Sequence, residues 1–169
     1  MFTLSELQKL ASHLTGAQFV KQIGPIVLLQ HAPGATLIDG AERKRTAVVS
    51  KMAMVRKSTE IRHELAKLQV VVLPPISASG GKLRVGRTAD NDLILEDPSA
   101  SKEHATIEYT TGRSQITDLG SMNGTSVNAQ MLEANTARSL KDGDVISFGG
   151  VQFVYYTSAR MFDVLSGTG

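Results

Sequence analysis

Leu4, Leu7, Leu10, Ala11 and Leu14 recur at the start of the chain at three- and four-residue intervals, the spacing of one face of an α-helix. Thr3-Leu4-Ser5-Glu6 precedes them as a capping box, with Thr3 as N-cap and Glu6 reaching back, and Gly16 can end the helix. Thr15-Gly16-Ala17-Gln18 repeats the capping pattern ahead of Phe19, Val20 and Ile23, and Gly24-Pro25 stops it. The pattern predicts a short helical hairpin. Its apolar stripe packs on the chain's own strands or, in the alternative reading, offers a docking surface for a partner, self-association included. Residues 25–30 form a compact apolar run and 45–54 alternate loosely, so both predict strands, separated by turns at Pro33-Gly34 and Asp39-Gly40. Ile61, Leu65 and Leu68 share one face of a helix predicted over 58–68, the alternative being that the same residues extend a strand.

From Gln69 onward the period shortens. Strand-like runs are predicted at 70–73, 83–85, 92–95, 105–109, 115–118, 126–127, 145–148 and 152–156. Turn residues divide them at short intervals, among them Ser79-Gly80-Gly81, Asp97-Pro98, Thr111-Gly112, Asn123-Gly124, Asp142-Gly143 and Gly149-Gly150. Many short strands with frequent turns predict an all-β sandwich. Met161, Phe162 and Leu165 return to helical spacing, which predicts a short closing helix ahead of a loose tail at 167–169. The expected organisation is an N-terminal α+β extension over 1–66, a β-sandwich over 67–158, and a helix and tail over 159–169.

Composition narrows the function classes. The chain has 169 residues, 41% hydrophobic and 20% charged, which fits a globular domain with an appendage. No apolar run approaches the roughly 20 residues a membrane helix needs, and no signal-peptide pattern opens the chain, so a cytoplasmic location is expected. Cysteine is absent, which removes disulfides, thiolate metal sites and cysteine nucleophiles. A formal charge of +2 is too small for bulk nucleic-acid binding, and Arg43-Lys44-Arg45 is read as a solvated loop.

The chemistry-bearing residues lie between Gly86 and Gly124. Gly86-Arg87 ends a predicted strand, and the glycine permits a close backbone approach there. Arginine presents a planar fork that pairs two phosphate oxygens and keeps its proton. Ser101-Lys102-Glu103-His104 adds a hydroxyl donor, loop amides and a second cation, and Asn123-Gly124 marks a tight turn. This ordered set resembles the forkhead-associated (FHA) domain, a β-sandwich that binds phosphothreonine in partner proteins, over roughly residues 68–156. Asn128, Leu140, Gly143-Asp144 and Phe148-Gly149 extend the similarity.

The resemblance implies that Arg87 and Ser101 contact the phosphate, that Lys102 assists, and that Asn123 bonds the backbone of the bound peptide. It implies structural roles for Gly86, His104 and Gly124, and a preference for phosphothreonine over phosphoserine. Three positions depart from the family's usual pattern. Met122 stands where smaller or hydrogen-bonding residues are common, Ser99 is neutral at a position that helps read the peptide, and Glu103 puts a negative charge beside the site.

Catalytic motifs are missing: there is no Gly-x-Ser-x-Gly elbow, phosphate-binding Gly-Lys loop or His-Glu-x-x-His, and His13, His31 and His63 lack metal-ligand spacing. No cofactor, no metal and no catalytic residue is expected. The sequence therefore predicts a non-catalytic phosphothreonine-peptide-binding adaptor. Its partner would be a phosphothreonine-containing protein, a Ser/Thr kinase or a kinase substrate, and not nucleic acid or membrane. The alternative is an assembly protein that uses the fold for phosphate-independent contacts.

Overall fold

A computed structural model describes residues 2–30, 69–72, 81–110 and 112–167. The strand expected at 45–54, the helix expected at 58–68, the turns at Pro33-Gly34 and Asp39-Gly40, the Arg43-Lys44-Arg45 cluster, His31 and His63 lie outside the described residues.

The two capping boxes form as the sequence requires. In α1 (Leu4–His13) the Thr3 amide donates to the Glu6 carboxylate at 2.7 Å while the Thr3 hydroxyl accepts from the Glu6 amide. In α2 (Gly16–Ile23) Thr15 and Gln18 repeat the exchange. Each pair satisfies helix N–H groups that have no partner within the helix. The closing helix α3 (Ser158–Ser166) follows directly from the last strand, with Thr157 as its N-cap. No helix among the described residues is long and apolar enough to cross a membrane.

The strands are β1 (Phe2–Thr3), β2 (Ile26–Gln30), β3 (Gln69–Val72), β4 (Gly81–Gly86), β5 (Leu93–Ile94), β6 (Ala105–Thr110), β7 (Arg113–Asp118), β8 (Thr125–Val127), β9 (Gln130–Met131), β10 (Ala137–Leu140), β11 (Val145–Phe148) and β12 (Val151–Thr157). They form a seven-stranded sheet in the order β1-β3-β2-β12-β11-β8-β9 and a five-stranded sheet in the order β10-β7-β6-β4-β5. Pairing is antiparallel except between β4 and β5. The expected sandwich is therefore present. The short strands β1, β9 and β10 were not anticipated, because runs such as Ala137-Arg138-Ser139-Leu140 lack β-branched residues and extend by pairing with a neighbour rather than by propensity.

The N-terminal part corrects one expectation. Residues 25–30 were assigned to a small unit beside the sandwich, but β2 lies inside the seven-stranded sheet, between β3 and β12. Five residues pair it with β12, from Ile26 opposite Thr157 to Gln30 opposite Phe153. The physical reason lies in its unbroken apolar run. Ile26 and Leu28 face the core between the sheets, with Leu83, Val85, Ile107, Phe148 and Phe153. Val27 and Leu29 face a second core under the helices, with Leu7, Phe19, Ile23, Val154 and Met161. A strand apolar on both faces needs a layer on each side. A boundary at residue 66 would separate β2 from its partner.

The helices supply the outer layer. Leu4, Leu7 and Ala11 of α1 are buried in that second core, and Phe19 of α2 meets the ring of Phe162 of α3 at 5.5 Å. The apolar stripe of α1 is thus covered by the chain's own sheet and helices, which takes it away from the docking surface for a partner or second copy expected as an alternative.

Candidate functional site

Three loops meet at one end of the sandwich: β4–β5, β5–β6 and β7–β8. Their approach begins at Gly86. A Cβ there would collide with the Lys102 carbonyl oxygen and press on the Asn91 amide. The absence of a side chain lets the first two loops bond directly. The Arg87 amide donates to the Ser101 carbonyl at 2.9 Å. The Lys102 carbonyl accepts from the Asn91 side chain at 2.7 Å, from the Thr88 hydroxyl at 3.1 Å and from the Thr88 amide at 3.4 Å. Arg87, Ser101 and Lys102 are thereby held side by side through their backbones. The side chains of Arg87 and Lys102 are exposed, and neither makes an ion pair or hydrogen bond among the described residues.

His104 joins the second loop to the third. It is fully buried, stacked edge-on against Phe148 at 5.8 Å. Its Nδ1 accepts from the Ser101 amide at 3.0 Å, so the proton of the neutral ring belongs on Nε2, which lies 3.1 Å from the Gly124 carbonyl and donates to it. With both nitrogens committed to main-chain groups, the imidazole cannot take the Ser101 hydroxyl proton. The pair has no nucleophile–base geometry.

The third loop is built around Asp118. Its carboxylate accepts from the amides of Gly120 and Ser121 at 2.9 and 3.0 Å and from the hydroxyls of Ser121 and Thr125, each at 2.6 Å. Burial pushes this carboxyl up, but the hydrogen bonds from Ser121, Thr125 and Gly120 outweigh it and hold the group below its ordinary value. The loop so shaped presents the Met122 amide to the Ser101 Oγ at 2.9 Å. Because Ser101 Oγ accepts there, its own proton remains for donation to a bound group.

Asn123 donates through Nδ2 to the Ser99 carbonyl at 2.8 Å. Its Oδ1 and second amide proton have no partner among the described residues. Gly124 sits at φ 77°, a conformation that favours glycine, and the Met131 methyl lies where a Cβ would project. Its backbone carries two loop contacts, accepting from His104 and from the Gly149 amide at 3.0 Å. Ser99 is bonded within the cluster. Its hydroxyl donates to Asp97 at 2.6 Å and accepts from the Gly150 amide at 2.8 Å. Glu103 is exposed and makes no ion pair among the described residues.

All seven expected residues, Gly86, Arg87, Ser101, Lys102, His104, Asn123 and Gly124, thus stand in this one three-loop cluster. Asp118, Thr88 and Asn91 were missed. Asp118 had a signal, since an Asp two and three residues ahead of Gly120 and Ser121 in a turn is a pattern for a side chain that accepts from its own downstream amides. Asn91 had none, because its partner Lys102 is on another loop.

A family model described as the FHA domain matches residues 83–149, a span that holds every residue of this cluster. An ABC transporter ATP-binding/permease protein of Mycobacterium tuberculosis is 40% identical over 83 residues, covering 49% of this chain and 9% of that protein. The glycogen accumulation regulator GarA of Mycolicibacterium smegmatis is 33% identical over 78 residues, covering 46% of this chain and 48% of the regulator. The chain thus spans less than half the length of these curated relatives. Among solved structures, an FHA domain from Chlamydia trachomatis superposes with a TM-score of 0.52 at 21% identity, covering 78% of this chain and 96% of that one, which is a likeness of fold. Residues 83–149 of this chain match the forkhead-associated domain family, and the sandwich that contains them has its fold.

Proposed function

We propose that the chain binds phosphothreonine peptides and acts as a non-catalytic adaptor in Ser/Thr kinase signalling. The observation that carries this reading is the pairing of two uncommitted cations, Arg87 and Lys102, with a hydroxyl whose proton is free, at a place where three loops are locked by hydrogen bonds. A phosphate ester is held by charge-assisted donors in fixed directions, and preformed donors lose little entropy on binding.

In this reading the Arg87 fork takes two phosphate oxygens, the Ser101 hydroxyl donates to the phosphate, and Lys102 adds charge. The Asn123 amide has one donor and one acceptor left over from its bond to Ser99, which suits an extended peptide backbone. Gly86, His104 and Gly124 hold the loops. One relative is named as a regulator, which supports the adaptor role. The partner is a phosphothreonine-containing protein, either a kinase or a kinase substrate.

Titration calorimetry with a phosphothreonine peptide and its unphosphorylated twin tests the proposal. Binding should require the phosphate, and Arg87→Ala should cost about 2–5 kcal/mol of affinity, the range for removing one member of a close charge pair. Equal binding of the two peptides would overturn it.

A further inference from the structure

Asp97 bonds to none of the phosphate donors named above, yet Asn123 is held through it. Residues 97–100 form a tight turn, in which the Ala100 amide donates to the Asp97 carbonyl at 3.0 Å and Pro98 takes the position that a fixed φ favours. Ala100 is buried in the inter-sheet core and anchors the turn. Inside the turn, Oδ1 of Asp97 accepts from the Ser99 amide at 2.8 Å and from the Ser99 hydroxyl at 2.6 Å. One carboxylate oxygen thus fixes Ser99 by both its backbone and its side chain.

The clamped serine meets two other loops. Its Oγ accepts from the Gly150 amide at 2.8 Å, and a Cβ on Gly149 would lie 2.6 Å from its carbonyl oxygen, so the β11–β12 turn approaches this closely only because glycine stands there. The same carbonyl accepts from Nδ2 of Asn123 at 2.8 Å. That is the bond that holds the Asn123 side chain among the described residues, and it leaves Oδ1 and the second N–H for a ligand.

We propose that Asp97 is a positioning residue for phosphopeptide binding: by clamping Ser99 it orients the Asn123 side chain that takes the peptide backbone. This rests on the phosphothreonine reading of the same site. An exposed asparagine free to rotate loses rotamer freedom when a ligand binds, whereas one already tied to a fixed carbonyl has lost it beforehand. Asp97 supplies that fixed carbonyl without touching the ligand.

The test is titration calorimetry with the intact chain and the tightest binder of a degenerate phosphothreonine peptide set. Asp97→Ala should weaken binding about three- to tenfold, the loss of one orienting hydrogen bond. Removing a negative charge near an anion site should by charge alone strengthen binding, so a loss reports the missing clamp. Asp97→Asn keeps an oxygen for both Ser99 donors and should restore wild-type affinity to within about twofold. A double-mutant cycle then separates positioning from general loosening. Asn123→Ala should weaken binding, and adding Asp97→Ala to it should cost nothing further, because the residue through which Asp97 acts is gone. A merely structural role would weaken both backgrounds alike. Ser99→Ala cuts the hydroxyl bridge and should follow the same pattern, so it carries the cycle if Asp97→Ala does not fold. Wild-type affinity in Asp97→Ala, no rescue by asparagine, equal losses in the two backgrounds, or wild-type affinity in Asn123→Ala would each overturn the inference and leave the phosphothreonine reading standing. Failure of every phosphopeptide to bind the wild-type chain would overturn that reading, and this inference with it.

Discussion

The Ser101 amide donates to Nδ1 of His104 at 3.0 Å, and this bond decides what the histidine is for. It fixes the proton on Nε2, directs that proton at the Gly124 carbonyl, and ties the loop carrying the serine to the loop carrying Asn123. A histidine three residues from a serine invites a catalytic reading, but here the ring meets the serine's backbone rather than its hydroxyl.

His104→Ala should destabilise the fold by about 2–4 kcal/mol, since it leaves a buried N–H and a carbonyl unpaired and opens a cavity against Phe148. The midpoint of urea unfolding measures it. A midpoint equal to wild type would contradict the bridging role. Phosphopeptide affinity should fall as well, because the Ser101 loop loses its anchor.

Arg87→Lys separates charge from geometry. The side chain is exposed and pairs with nothing among the described residues, so folding stability should move by less than about 0.5 kcal/mol. Affinity should fall between wild type and Arg87→Ala, because an ammonium retains the charge but not the two-pronged contact. Calorimetry on the three proteins orders them. Lysine equal to arginine would mean that the fork is not used.

The site's local parts were legible in the sequence and its cross-links were not. Gly86-Arg87, Ser101, His104 and Asn123-Gly124 form spaced local signals, as do the capping boxes at Thr3 and Thr15, because each concerns neighbours along the chain. β2 was placed in the wrong unit because its partner β12 lies near the other end of the chain, and an apolar run does not say which strand it will pair with. Asn91 escaped for the same reason, its bond to Lys102 existing only once two loops meet. Ser99 is the subtler case. Its residue type suggested a neutral reader of peptide, whereas its contacts show a cross-link between Asp97, Asn123 and the Gly149-Gly150 turn.

Acid should loosen the third loop through Asp118. Its carboxyl is held below the ordinary aspartate value in the folded chain, so the stability it contributes is complete above about pH 4 and is lost as pH falls through the folded value. Asp118→Asn replaces a four-fold acceptor with a group that can accept on one oxygen only, which should destabilise at neutral pH. Urea midpoints of the two proteins, followed from pH 7 down to pH 3, should converge as the wild-type carboxylate is protonated. A gap that stays constant across that range would show that the charge of Asp118 contributes nothing.

Shortening the chain to begin at Ala66 should abolish the folded sandwich, although the family match begins only at residue 83. The cut removes β2 from between β3 and β12, strips Ile26 and Leu28 from the inter-sheet core, and removes α1 and α2 from above Val154 and Met161. It leaves β12 with an unpaired edge, a template for aggregation. The shortened chain should be insoluble or lack the dispersed amide spectrum of a folded β-protein. Leu28→Ala in the full chain isolates the packing share of this effect. Leu28 is fully buried on the inter-sheet side of β2, and its truncation should cost about 2–5 kcal/mol in urea unfolding. Arg87 and Ser101 remain in place in that variant, so phosphopeptide binding should persist wherever the protein is still folded. A soluble, well-dispersed chain from Ala66 onward with unaltered stability would show that β2 is an accessory strand rather than a member of the sandwich core.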